Sequence, residues 1–303
     1  MSEMNSIASK HLGQQGSYAV TTDSFDPSFL VPMPRKLARE EWDIKGTEFK
    51  GYDTWHCHEA TFLLNNGVPL AGTLKIVYPA DSEFMVESKS FKLYLNTFDM
   101  CKMGETVKEA IANYEKQVSL DLSNTVQSSV AVKFFREGDQ YHYGASPADN
   151  FQDLYKLIGL DKIETMTITD YTGEKKHFEV YDGTQGGELY AFTNVLRSRC
   201  RHTKQKDTGT AYFYIKTKTG KVRLRSLLEE VVSLREVNEF HEFCAEKLYK
   251  AISEHPDVSE CMVMLLYARR GSLDINPVRA TRYDLIPDAL INPSILTQKT
   301  LGQ

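Results

Sequence analysis

One order of elements occurs twice along this chain and limits its folds more than any other feature: strand, strand, helix, helix, strand. In the first half, residues 52–64 and 69–78 read as strands joined by Asn65-Asn66-Gly67, a hairpin turn signal. Across residues 88–98, Phe91, Tyr94, Leu95 and Phe98 fall on one apolar helical face. A second helix is predicted over 105–120 and a strand over 129–135. In the second half, strands are predicted over 188–199 and 211–217. Helices follow over 223–234 and 235–252, the latter opened by a capping box of Ser233 and Glu236. An apolar strand over 261–268 closes the set, and a further strand candidate lies at 164–169. The duplication is one of pattern, without a strong residue-by-residue repeat. Runs of strands followed by helices predict an α+β protein with antiparallel pairing. No Gly-x-Gly-x-x-Gly follows a strand, which argues against a doubly wound dinucleotide site.

The 303 residues suffice for two domains. A net charge of −5 and a pI near 5.9 argue against non-specific nucleic-acid binding. No run approaches the ~18 apolar residues of a membrane span, and residues 1–16 lack the apolar core of a signal peptide. The expectation is a soluble cytoplasmic protein with a loose tail over 1–20. Five cysteines (Cys57, Cys101, Cys200, Cys244, Cys261) without a Cys-x-x-Cys suggest neither a disulfide framework nor a zinc ribbon. Cys244 and Cys261 lie in apolar-periodic runs and read as core. Trp55-His56-Cys57-His58-Glu59 has metal-ligand residue types, but strand neighbours point to opposite faces, so the run reads as structural.

Four segments carry candidate chemistry. In the segment 87–96, Ser88 is a natural N-cap, and Lys89, Lys92 and Asn96 fall opposite the aromatic face. Lysines in a first turn oppose the helix dipole, and beside free N–H groups they suit a phosphate; a solvated polar face is the plain account. Cys200 is ringed in sequence by Arg197, Arg199, Arg201, His202, Lys204 and Lys206, cations that favour a thiolate nucleophile. Asp207 precedes the turn signal Thr208-Gly209, which could fold it back beside Cys200. A basic loop with a bystander cysteine is the competing account. Phe240-His241-Glu242 offers a stacking ring, a proton carrier near neutral pH and a carboxylate suited to a guanine-like edge. A core phenylalanine with two solvated neighbours is the plain alternative. In Arg269-Arg270-Gly271-Ser272, Gly271 permits close backbone approach and Arg270 could clamp a phosphate; a strand end with a surface charge pair is the alternative.

On these residues the chain resembles the NADPH-dependent nitrile reductases of queuosine biosynthesis, the 7-cyano-7-deazaguanine reductases, in their long two-module form. The resemblance covers nearly the whole chain. It rests on the segment 87–96, on Cys200 with Asp207, on Asn238-Glu239-Phe240-His241-Glu242, and on Arg270-Gly271-Ser272-Leu273-Asp274-Ile275-Asn276-Pro277. Ser272 departs from the second glycine usual in the family. The resemblance implies tandem tunnelling-fold modules, each an antiparallel sheet with two helices, over 21–155 and 156–303, with the boundary within 138–187. It implies reduction of the nitrile to an aminomethyl group through a covalent thioimide on Cys200, with Asp207 and His241 as proton donors. Glu87, Ser88, Phe240, His241 and Glu242 would hold the substrate. Ser88, Lys89, Ser90, Lys92, Arg270 and Gly271 would hold NADPH, two per nitrile, with no metal. A homodimer without membrane or direct nucleic-acid partners is implied as well. Within the same fold, a pterin cyclohydrolase would need a zinc site or another acid set, and an amidinotransferase would keep the cysteine without nicotinamide. An RNA-binding module acting through 197–206 is the alternative of a different class.

Overall fold

Eight strands form one sheet whose spatial order runs backwards through the sequence from both ends. The computed structural model describes residues 24–44, 49–136, 138–139, 146–201, 203–300 and 303. The expected tail and His202 lie outside the described residues. The strands are β1 (Lys50–Leu63), β2 (Pro69–Pro79), β3 (Ala131–Arg136), β4 (Gln152–Asp153), β5 (Glu188–Arg199), β6 (Lys206–Thr217), β7 (Val258–Tyr267) and β8 (Leu273–Ala280). Their order in the sheet is β3-β2-β1-β8-β7-β6-β5-β4. Pairing is antiparallel throughout except between β4 and β5, which are parallel. The first and last strands therefore meet in the middle, from Leu273 opposite Cys57 to Ala280 opposite Lys50.

Five helices matter for the site: α1 (Arg35–Glu41), α2 (Ser88–Asn96), α3 (Val107–Val126), α4 (Leu224–Ser233) and α5 (His241–Ser253). The orders β1-β2-α2-α3-β3 and β5-β6-α4-α5-β7 reproduce the predicted duplication. One core gathers Trp55, Phe62, Phe91, Tyr94, Phe98 and Tyr114 from β1, α2, the residues after it and α3. A second gathers Phe213, Ile215, Leu227, Val231, Leu248 and Val263 from β6, α4, α5 and β7. The aromatic period of α2 thus points where the sequence predicts, with Phe91, Tyr94 and Phe98 fully buried. Truncating a ring of this kind costs ~3–5 kcal/mol. None of the helices among the described residues is long and apolar enough to cross a membrane.

Two sets of buried charges tie the halves together. Asp53 on β1 accepts from Arg35 (2.6 Å) and Arg279 (2.8 Å), and Glu246 on α5 accepts from Arg39 (2.8 Å) and Arg279 (2.9 Å). On the opposite face of the sheet, Lys75 Nζ lies 2.8–3.1 Å from Ala289 O, Asn292 O, Ile295 O and Thr297 Oγ1. Lys299 returns from this C-terminal segment to Asp274, 2.7 Å away. Asp274 also engages His56 Nδ1 (2.8 Å) and His58 Nε2 (2.6 Å). The alternation argument for 55–59 holds: the two histidines share one face, and Cys57 turns into the core.

Three expectations are corrected. Residues 164–169 are not a strand; a short helix spans Leu160–Thr165 and no regular element follows it to 169. The last long helix begins at His241, not 235, because Val237–Glu239 takes backbone partners from the end of β5. Ser233 is accordingly no N-cap: it lies within α4 and its hydroxyl donates to Glu230 O. Finally, Glu87 rather than Ser88 caps α2, since its two oxygens reach Lys89 N at 3.0 Å and Ser90 N at 2.6 Å.

Candidate active site

The geometry starts from the β5–β6 hairpin. Ser198 stands opposite Asp207 and Arg199 opposite Lys206. The ladder ends with Cys200 N donating to Gln205 O at 2.8 Å, and a tight tip follows with Lys204 at φ 57°. Cys200 thus stands across from Gln205, two residues from Asp207, and positions two apart share a face. Asp207 therefore meets the sulfur's side through strand register. It does not do so through a turn at Thr208-Gly209, which lies inside β6. Gly209 answers another need: a Cβ there would sit 2.4 Å from Leu266 O on β7. Cys200 is half-buried, whereas the other four cysteines are buried. Burial pushes the thiol of Cys57 up to about 11 and those of Cys244 and Cys261 up to about 12.

Of the cations that surround Cys200 in sequence, three arginines are taken up by glutamates in the fold. Arg197 and Arg199 face Glu236 at 3.7 and 2.5 Å. Arg201 binds Glu239 at 2.8 Å and Glu41 at 3.0 Å. The cation that reaches the acid comes from the far loop, Arg270 Nη1 lying 2.9 Å from Asp207 Oδ1. On the other oxygen, His241 Nε2 stands 3.5 Å away. The imidazole is held flat against Tyr267, with centroids 3.7 Å apart and planes 6° apart, and its Nδ1 is buried without a partner among the described residues.

The segment before α5 delivers this helix to the hairpin. Arg199 N donates to Val237 O (2.8 Å) and Glu239 N to Arg199 O (3.0 Å), so Phe240 follows directly beside the neighbour of Cys200. Phe240 is half-buried, its ring 6.4 Å from that of Phe243. Glu242 is 1% exposed, and its Oε1 has no hydrogen-bond partner among the described residues. One turn later on the same face, Glu246 is held by two arginines. Burial first, then repulsion from Asp53, pushes Glu242 up to about 8. A buried carboxyl oxygen without a partner is able to accept N–H groups of a ligand.

Helix α2 reaches the same region through Lys92. Gly271 has φ 54°, and a Cβ on it would lie 2.0 Å from Lys92 Nζ, so the glycine leaves the ammonium its place. Burial, then Arg270, holds Lys92 below its ordinary value. Lys92, Gly271, Arg270 and Asp207 thus form a continuous path from α2 to the hairpin. Lys89 is exposed on the same helix, and Ser88 half-buried beside Glu87. Ser90 is buried, its hydroxyl donating to Glu87 O and accepting from Val31 N. Ser272 adopts φ 69°, a left-handed conformation that glycine takes more readily. Cationic donors and a bare glycine backbone fit a phosphorylated cofactor. The helix N-terminus itself does not, since Glu87 already takes its N–H groups. Sequence reasoning alone misses Glu239 as a structural link, because its partners Trp42 and Arg201 stand far from it in the chain.

Comparison with known proteins points to one family. The family described as "Nitrile reductase, 7-cyano-7-deazaguanine-reductase N-term" matches residues 21–134. The chain is similar to the NADPH-dependent 7-cyano-7-deazaguanine reductase of Coxiella burnetii (strain RSA 493 / Nine Mile phase I), 33% identical over 270 residues, covering 88% of this chain and 90% of the relative. The protein of the same name from Rickettsia prowazekii (strain Madrid E) is 32% identical over 277 residues, 91% of this chain and 94% of the relative. That from Psychrobacter cryohalolentis is 33% identical over 286 residues, 91% and 95% respectively.

Proposed function

The chain belongs to the family of NADPH-dependent 7-cyano-7-deazaguanine reductases, and we propose that its nitrile reduction runs through a covalent thioimide on Cys200. The activity is an oxidoreductase step of queuosine biosynthesis, with NADPH as reductant. In our reading, Phe240 stacks on the deazaguanine and Glu242 accepts its ring and amino N–H groups. This sets the nitrile carbon against Cys200. The sulfur attacks that carbon, the thiol proton passes to the Asp207–His241 pair, and the pair protonates the nitrile nitrogen. The net step adds S–H across the triple bond. NADPH, when bound, supplies a hydride, twice per nitrile. Lys89, Lys92, Arg270 and Gly271 would hold its phosphates beside the hairpin, with Ser88 and Glu87 at the junction with substrate. Arg270 and His241 keep Asp207 oriented, one on each oxygen.

The observation that carries this reading is the buried, unpartnered Oε1 of Glu242, next in sequence to His241, whose Nε2 lies 3.5 Å from Asp207. The repeated element order supports tandem tunnelling-fold modules over 21–155 and 156–303; that two copies pair as a homodimer is part of the same proposal and follows from the resemblance alone. The RNA-binding alternative is disfavoured because Arg197, Arg199 and Arg201 are already matched by glutamates. The test is to mix protein and nitrile without NADPH and weigh the intact protein. A mass gain equal to the substrate that disappears in Cys200→Ala supports the thioimide; a gain that survives the substitution refutes it.

A further inference from the structure

Both residues that flank Cys200 are held by Glu239. Its N–H donates to Arg199 O at 3.0 Å, and its Oε2 accepts from Arg201 Nη1 at 2.8 Å. The same carboxylate is 2% exposed and also accepts from Trp42 Nε1 at 3.3 Å. Its other oxygen takes the Phe240 N–H at 2.9 Å, the group that opens the helix carrying His241 and Glu242. Arg201 extends the link to Glu41 at the end of α1. A buried carboxylate with three donors has one satisfied geometry, because any shift leaves a buried charge or N–H unpaired.

From this we infer that Glu239 is a positioning residue for the reaction: it fixes the distance between the nucleophile's hairpin and the helix that orients substrate. It would act through Arg199, Arg201 and the Phe240 N–H, its partners in the fold. The inference rests on the reading of Cys200 as nucleophile. Its physical content is that attack needs near-contact geometry, and a misplacement of about 1 Å costs on the order of 100-fold in rate.

The test uses Glu239→Gln and Arg201→Lys, singly and together, in the full chain. Glutamine keeps the volume but sets an amide NH2 against donors. Lysine keeps the charge but loses the planar two-nitrogen fork with which Arg201 reaches Glu239 and Glu41. Thioimide formation without NADPH is followed by rapid quench and intact mass. Nitrile affinity is measured by calorimetry with each change placed on a Cys200→Ala background. Each single variant is expected to slow adduct formation roughly 10–100-fold while affinity stays within about threefold, and the double variant to be no slower than the slower single. An unchanged adduct rate in either folded variant overturns the inference. So does a rate loss matched by an equal loss of affinity, the mark of a merely structural role. Should Glu239→Gln fail to fold, Arg201→Lys decides by the same criteria. An adduct persisting in Cys200→Ala overturns the nucleophile reading and this inference with it, whereas the other results bear on Glu239 alone.

Discussion

Glu242→Gln removes an ionisable group from a dry site while keeping its shape, and it should move stability and binding in opposite directions. The carboxyl is raised from 4.5 to about 8 by burial and then by Asp53. Its raised value means that the unfolded chain loses this proton first, so folding weakens as pH climbs from about 4.5 towards about 8. At ~1.4 kcal/mol per tenfold change in proton binding, the full penalty is on the order of 3–5 kcal/mol. Glutamine carries no such penalty. Urea unfolding should find the two proteins alike near pH ~5 and the variant more stable by a few kcal/mol near pH ~8. Substrate binding should weaken instead, because an amide N–H would face ring N–H groups. Each buried donor left unpaired costs ~1–3 kcal/mol. Since the ligand selects the carboxylate, wild-type affinity should also rise with pH up to about 8. Calorimetry on the Cys200→Ala background separates this from chemistry. A stability difference that is the same at both pH values, or an unchanged affinity, refutes the argument.

Lys75 should show the opposite slope. Burial, then Lys299, depresses it from 10.5 to about 7 against a partial offset from Asp288. The unfolded chain therefore holds the extra proton between these values, so wild-type stability gains with pH there, and Lys75→Met should erase that rise in denaturant midpoints. Gly271→Ala should displace Lys92 and raise the apparent KM for NADPH, while thioimide formation without NADPH, followed by mass, stays near wild type. An equal loss in both assays would place Gly271 with the substrate instead. Asp207→Asn should slow thioimide formation ~10²–10⁴-fold, read by quench and mass, with nitrile affinity retained.

Much of the fold is legible because its local signals agree. The Asn65-Asn66-Gly67 turn and the period of Phe91, Tyr94 and Phe98 place β1, β2 and α2 within a residue or two of their observed bounds. The start of α5 is not legible that way. Ser233 and Glu236 have capping-box spacing, but the backbone of Val237–Glu239 finds better partners on β5, a tertiary choice no local pattern records. The site shows the same division. Cys200, Asp207 and His241 stand out by residue type; strand register puts Asp207 on the side of Cys200, and His241 Nε2 lies 3.5 Å from Asp207. Part of the cationic setting argued for Cys200 is spent elsewhere, because strand alternation turns Arg197 and Arg199 towards Glu236. Arg270, read as a phosphate clamp, also pairs with Asp207, 63 positions earlier in sequence and one loop away in space.

The meeting of β1 and β8 at the centre of the sheet makes the molecule divisible. Covalent continuity runs between the outer strands β3 and β4, while the middle is joined by non-covalent contacts, among them the β1–β8 ladder, the Asp53–Arg279 and Arg39–Glu246 pairs, the Arg201–Glu41 and Trp42–Glu239 contacts, and the lysine contacts on the far face. Cutting the chain between β3 and β4 would leave two polypeptides, each with its own strands and helix pair. One would carry Lys92, the other Cys200, Asp207, His241 and Glu242. On the proposed roles, neither fragment alone would hold a full set of groups for nitrile reduction, so recovered NADPH oxidation would report their reassembly, and the protein could serve as a split reporter of whatever is fused to bring the pieces together.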